Sequence, residues 1–141
     1  MIPTKKQINP YPGDLDGDYA VQNWLGKSIQ DGVTMLESNS LHYCEDFTYM
    51  GKYAYNYYFD SIIEYAKSDK SNEDCDFINA VLNSTIEFRW DEEKDIIEGS
   101  KSKINHFLNL IITNYDKFEI DLDIYGDLKL KAQELIEKIK A

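Results

Sequence analysis

Between residues 46 and 67 the chain carries Met50, Tyr53, Ala54, Tyr55, Tyr57, Tyr58, Phe59, Ile62, Ile63, Tyr65 and Ala66, with no proline among them. At about 100° per residue the polar groups of this stretch collapse into one row, Lys52, Asn56, Asp60 and Glu64, with Lys67 close by. A helix that is apolar over most of its circumference is stable in water only when other elements surround it. The segment therefore predicts a central helix, and the rest of the chain has to be arranged around it.

The prolines say where helices are free to run. Pro3, Pro10 and Pro12 all precede residue 13, and with Gly13 and Gly17 they make residues 1–18 read as an irregular arm. Beyond it no helix is broken by a missing backbone donor. The periodicity predicts a helix over 19–30 (Val21, Trp24, Leu25, Ile29), weakened at Gly26 by up to about 1 kcal/mol. A short segment with Val33, Met35 and Leu36 follows. Further helices are expected over 74–89, with Asp74 or Asp76 as N-cap, over 101–115, and over 122–140, where lysines crowd the C-terminal half. The alternation from Phe118 to Ile124 has no pairing partner and reads as a loop. The expected fold class is all-α, a compact single-domain bundle of five or six helices spanning 19–141 behind the arm.

Composition narrows the functions. The chain has 141 residues, 43% hydrophobic and 13% aromatic, enough apolar material for one core. Its net charge of −11 argues against binding nucleic acid or an anionic membrane, both of which attract basic surfaces. No apolar run approaches the ~18 residues of a membrane span, and Met1 to Asp14 lacks the apolar core of a signal peptide. A cytoplasmic protein is expected, with Cys44 and Cys75 as free thiols.

The charge is uneven. Residues 14–98 hold 19 acids against six bases, a local net of −13, while the remainder is slightly positive. The acids fall in groups: Asp14, Asp16 and Asp18; Asp69, Glu73, Asp74 and Asp76; Asp91, Glu92, Glu93 and Asp95; Glu119, Asp121 and Asp123. Each group suits a helix start or a solvated loop. Together they cost self-repulsion in the compact state, and serve for solubility or for meeting a positive partner.

Metal and catalytic motifs do not close. Counting from Asp14, a calcium loop would need glycine where Tyr19 stands and glutamate where Leu25 stands. His42-x-Cys44 is too tight for a zinc pair, and Cys75 and His106 have no paired ligand nearby. A Cys44–His42 or Cys75–His106 nucleophile would need an orienting acid and an oxyanion site; Glu45 is adjacent only in sequence, and no glycine-rich turn presents either cysteine. Gly26-Lys27-Ser28 lacks the upstream glycine and strand of a phosphate loop. No catalytic residue, cofactor or metal is expected, and the chain does not read as an enzyme.

The tyrosines are more informative. Of 11, seven fall between Tyr43 and Tyr65. Tyr58 and Tyr65 point away from the polar row, into the core; Tyr49, Tyr53 and Tyr57 flank it beside Asp60 and Glu64. Rigid aromatics with polar tips next to carboxylates are what a protein surface uses against a basic partner.

Tyr11-Pro12-Gly13-Asp14, Trp24-Leu25-Gly26-Lys27, Glu45-Asp46, Met50-Gly51, Ala54, Tyr57-Tyr58, Asp76-Phe77-Ile78-Asn79 and Glu87-Phe88-Arg89 together form a pattern over roughly residues 10–90. It resembles a family of small bacterial domains of the immunity-protein type, from which Phe59-Asp60 departs where the pattern has an apolar residue followed by proline. The resemblance implies no catalytic residues. It implies a small cytoplasmic protein encoded beside a toxin gene. With the charge it leads to the expectation of an immunity protein or inhibitor that binds a cognate toxin with a basic surface. The residues expected to make contact are Tyr49, Tyr53, Tyr57, Asp60, Glu64, Asp69, Glu73, Asp74, Asp76, Asp91, Glu92, Glu93 and Asp95. The alternative is a phage or plasmid protein that mimics DNA and blocks a nucleic-acid enzyme.

Overall fold

The computed structural model describes residues 1–140, and among them every regular element is helical. Helix α1 (Lys5–Ile8) is followed by α2 (Leu15–Trp24), α3 (Ile29–Cys44), a 3-10 turn (Glu45–Thr48) and the central α4 (Lys52–Lys67). A rod then runs from Cys75 to Glu92: α5 (Cys75–Ala80), a π-helical stretch (Val81–Phe88) and α6 (Arg89–Glu92). The chain closes with α7 (Lys94–Glu98), α8 (Lys101–Thr113), α9 (Leu122–Tyr125) and α10 (Leu128–Lys140). One continuous cluster of buried side chains extends from Ile8 to Ile139, as expected of a helical bundle.

The central helix is where the sequence placed it, but it starts at Lys52 rather than near 46. Gly51 is the reason. Its N–H donates to the Gln7 carbonyl at 3.2 Å, and a Cβ there would come within 2.5 Å of that oxygen. The arm is thereby stitched to the head of α4, and Ile8 is wholly buried. The expected first helix is shifted: Asp14 caps α2 at Leu15, and the chain leaves it at Gly26, whose φ of +79 a residue with a Cβ rarely adopts. The weak segment at 33–36 belongs to a 16-residue helix, α3, started by a Ser28–Asp31 capping box. Asn39 kinks α3 and accepts from the His42 N–H at 3.2 Å, which re-aims the helix end toward the 3-10 turn. At the far end, the expected loop and last helix separate into a 3-10 turn (Tyr115–Phe118), α9 and α10.

Helix α4 buries Ala54, Tyr55, Tyr58, Phe59, Ile62, Ile63, Tyr65 and Ala66. Its tyrosines also hold the irregular parts of the fold. Tyr58 OH lies 2.8 Å from the carbonyls of both Trp24 and Lys27 and shares its one proton between them just past the end of α2, where Trp24 O also accepts from the Lys27 N–H at 3.0 Å. Burial pushes that phenol up to about 12. Tyr55 OH donates to Thr85 O, inside the π-helical stretch, at 2.6 Å. Asp74 caps α5 through the Phe77 N–H and accepts from Ser40 Oγ and Tyr65 OH, both at 2.6 Å, so one carboxylate joins α3, α4 and α5.

Among the described residues Arg89 is the most deeply buried charged side chain, at 1% exposure. Its guanidinium donates to Phe47 O at 2.5 Å and Met50 O at 2.7 Å, and pairs with Glu93 at 3.2 Å. It lies over the Tyr55 ring, 5.8 Å from the centroid. The chain between the 3-10 turn and α4 thus takes its donors from a side chain instead of from a ladder. Arg89→Met keeps the stem but strands two buried carbonyls, at about 1–3 kcal/mol each. Unfolding in urea should show a loss of about 3 kcal/mol; a loss below about 1 kcal/mol would mean that these carbonyls find other donors.

Glu73 and Glu119 both adopt left-handed backbone, φ +66 and +48, and their side chains lie against each other. The hydrogen bond to Glu73, then its charge, holds the Glu119 carboxyl above its ordinary value. The folded state therefore keeps this proton more tightly than the unfolded chain does. The resulting stabilisation is present in acid and is lost as pH rises through the raised value. Glu73→Gln should melt higher than the parent at pH 7, with the gain gone below the ordinary glutamate range. An equal gain at both pH values would exclude carboxylate repulsion as its cause.

Candidate functional site

Most of the acids expected to face a partner have partners of their own. Asp60 pairs with Lys103 at 3.1 Å, and the same ammonium donates to Asn56 O at 2.8 Å. Glu64 pairs with Lys67 at 3.6 Å. Asp91 takes Lys138 at 3.0 Å, next to the Glu87–Lys131 pair at 2.6 Å. Glu93 holds Arg89 and accepts from Tyr11 OH at 2.8 Å. Asp76 accepts from Tyr125 OH, and Asp74 is the three-way joint described above. Asp69 lies near Lys117, while Glu92 and Asp95 are exposed on the loop side of α6 and α7. Tyr53 and Tyr57 stand side by side, ring centroids 6.1 Å apart, with Tyr53 OH donating to the Met1 carbonyl. The predicted residues are thus distributed around the bundle, and two of their lysine partners, Lys103 and Lys138, come from α8 and α10. Those contacts hold the C-terminal helices as much as they offer a surface.

A hollow of about 390 Å³ brings three of the expected residues, Tyr53, Glu93 and Asp95, together with Tyr11, but Lys6, Lys52 and Arg89 line it as well. Another concavity gathers acids and tyrosines without a lysine or arginine. It occupies about 430 Å³ between α2, the end of α3 and the 3-10 turn, and is lined by Asp16, Tyr19, Asn23, His42, Glu45, Asp46 and Tyr49. Of the residues expected from sequence, Tyr49 alone lies in it. Asp16 and Tyr19 come from α2, one turn apart. Glu45 and Asp46 come from the 3-10 turn that the Asn39 kink directs toward α2. Tyr19 is 62% exposed. The Tyr49 phenol is pushed up by burial first, then by Asp16, Asp14 and Glu45.

Asp46 forms the floor. It is only 7% exposed, and Asn23 Nδ2 at 2.9 Å and Trp24 Nε1 at 3.0 Å both donate to the same oxygen, Oδ2. Its carboxyl is raised by burial, an effect that these two donors and the nearby His42 oppose. Trp24 is itself locked by Phe47 and Tyr58, with centroids at 5.3 and 4.7 Å. The carboxylate is therefore held by a rigid aromatic wall. A tryptophan indole that is fully buried needs an acceptor, and Trp24 with Glu45-Asp46 was the available signal for this site. Helical spacing does not show it, because Trp24 and the turn at Glu45 are about 20 residues apart in sequence.

A further hollow of about 340 Å³ shares Glu45 and Tyr49 with this recess and is bounded beyond them by Leu41, Cys44, Thr48, Ser84 and Thr85. Ser84 and Thr85 belong to the π-helical stretch, a geometry frequent at functional sites. Cys44 is buried, and burial pushes its thiol well up, the reverse of what an attacking thiolate needs. Among the described residues no group of three or more His, Cys, Asp or Glu could hold a metal ion, and no helix is long and apolar enough to cross a membrane. What the arrangement offers is a shaped, anionic, aromatic-walled recess. No family model, no curated protein and no solved structure matches the chain.

Proposed function

We propose that this chain is a binding protein of the immunity type, which neutralises a bacterial toxin effector by direct contact between its acidic, tyrosine-containing surface and a basic face of the toxin. The observation that carries the reading is the recess of Asp16, Glu45 and Asp46 walled by Tyr19 and Tyr49, with Asp46 held by Asn23 and Trp24. Preorganised aromatic anchors beside carboxylates favour protein recognition. The net charge of −11 favours rapid, steered encounter with a cation-rich surface. The acids expected from the sequence to make contact, such as Asp91, Glu92 and Asp95, contribute to the long-range field. Against the DNA-mimic alternative stands the interruption of the acidic faces by Lys67, Lys103 and Lys138, each paired to an acid.

The test is co-expression with the open reading frames that neighbour the gene. The chain should restore growth to cells carrying the toxin among them and should co-purify with it; failure of every neighbour to be toxic or to be rescued removes the proposal. Charge steering makes a separate, kinetic prediction. The association rate should fall by about tenfold or more as ionic strength rises from about 0.01 M to about 0.15 M, with a much smaller change in dissociation. A salt-independent association rate would show that the charge does not guide encounter.

A further inference from the structure

We infer that the hollow between α1, the head of α4 and the rod is a phosphate site, in which Arg89, Lys6 and Lys52 hold one tetrahedral oxyanion. The inference does not rest on the inhibitor reading, since a basic partner would meet three cations here.

Two independent observations meet there. Arg89 is 1% exposed and lines the hollow, and its Nε alone among the buried side-chain nitrogens and oxygens of the described residues has no hydrogen-bond partner. In a planar guanidinium the Nε–H lies on the same edge as one Nη2 hydrogen. Nη2 reaches Glu93, which stands in the wall of the hollow, so this edge faces the cavity. An unpaired buried donor is costly unless an acceptor reaches it. The second observation is the head of α4. The first bond of its ladder runs from the Tyr55 N–H to Gly51 O at 2.9 Å, and no side chain caps the N–H groups ahead of it. Gly51, Lys52 and Tyr53 all line the hollow. Bare N–H groups at the start of a 16-residue helix favour an anion at that end.

The chemistry of the ligand follows from the charges around it. Lys6 and Lys52 are exposed, and among the described residues neither forms an ion pair. Gly99 makes room for the second of them: a Cβ there would come within 2.6 Å of Lys52 Cε, so the lysine stem passes directly over the glycine. Of the two acids in the wall, Glu93 is already engaged, by Arg89 at 3.2 Å and by Tyr11 OH at 2.8 Å. Asp95 is the acid that opposes the ligand, against two unpaired lysines. A planar carboxylate offers two oxygens in one plane, whereas the donors come from α1, α4 and the rod. A tetrahedral phosphate accepts from all three directions at once. The volume of about 390 Å³ leaves space for whatever carries the phosphate.

The probe is inorganic phosphate, titrated into the isotope-labelled full chain at neutral pH against sodium chloride of the same ionic strength. The expected result is a saturable shift of the Arg89 Nε–H and of the Lys52 and Tyr53 amides, with none from chloride. Acetate should bind several-fold more weakly. Lys6→Gln with Lys52→Gln changes only exposed groups. It should weaken phosphate binding by about tenfold or more without altering the thermal midpoint. Asp95→Asn removes the opposing charge and should tighten binding several-fold. Arg89→Lys keeps the charge but has no Nε–H, and it should weaken binding as well; the lysine pair keeps the test decisive if that variant fails to fold. Glycerol phosphate separates the two sources of the group. Tighter binding than inorganic phosphate assigns the site to a phosphate monoester, and equal binding assigns it to the free ion.

Equal shifts from chloride, equal affinity for acetate, or phosphate binding that survives the loss of both lysines would each overturn the site. So would an Arg89 Nε–H that stays in place while other resonances move, because the ligand would then lie elsewhere.

Discussion

A charge buried without water has to be answered by the protein, and here the answer organises the molecule. The Arg89 guanidinium is bonded to Phe47 O, Met50 O and Glu93. The first two carbonyls flank the exit of the 3-10 turn, at the point where the chain has left one helix and not yet entered α4. Such a connection inside a bundle would normally strand its backbone polar groups. Arg89 supplies the donors, and the turn can therefore sit in the core with Phe47 and Met50 buried beneath it. The same turn presents Glu45, Asp46 and Tyr49 outward. The position of the recess is thus a consequence of a salt-bridged arginine on the opposite rod. Only Arg89 Nε among the buried side-chain nitrogens and oxygens of the described residues lacks a partner, which fits a group fixed by its two outer nitrogens.

The tyrosines of α4 act in the same way from the other side. Helices end with carbonyls that have no intrahelical donor, and π-helical turns loosen the ladder further. Tyr55 and Tyr58 carry their hydroxyls to those places, at Thr85, Trp24 and Lys27. An aliphatic residue of equal size would fill the volume and bring no donor to them. This accounts for a central helix rich in tyrosine, where leucine would have served for packing alone. Trp24 then depends on Tyr58 for one of its walls and on Asp46 for its indole donor, so the core and the recess share side chains.

What could be read from the sequence follows from the range of the forces involved. The location of α4 was legible, because a nearly unbroken apolar circumference is a local property of consecutive residues. The inward direction of Tyr58 and Tyr65 was legible for the same reason. The starts of α2 and α3 were misjudged by several residues, because capping by Asp14 and Ser28 outweighed the apolar spacing on which the prediction relied. The arm was misjudged too: Ile8 is anchored by a contact between Gly51 and Gln7, more than 40 residues apart, which no local pattern records. Acids were the least legible of all. Asp74 and Asp46 look like any other carboxylates in sequence, yet one joins three helices and the other floors a recess, because tyrosine, serine and tryptophan donors reach them from elsewhere in the chain.

The distribution of charge has a structural logic that the net value conceals. Acids concentrated in the first two-thirds of the chain repel one another, and the lysines of α8 and α10 lie across them: Lys103 on Asp60, Lys131 on Glu87, Lys138 on Glu87 and Asp91. Each exposed pair adds little to stability by itself. Their combined effect is to neutralise the acidic side of α4 and of the rod where the C-terminal helices dock. The recess between α2 and the 3-10 turn receives no lysine, and Asp16, Glu45 and Asp46 there face only His42 as a basic group. Folding thus removes negative charge from the docking seams and leaves it concentrated where the walls are aromatic and the floor is fixed. A field focused in this way over low-dielectric walls acts on an approaching cation far more strongly than the same number of acids spread over a convex helix.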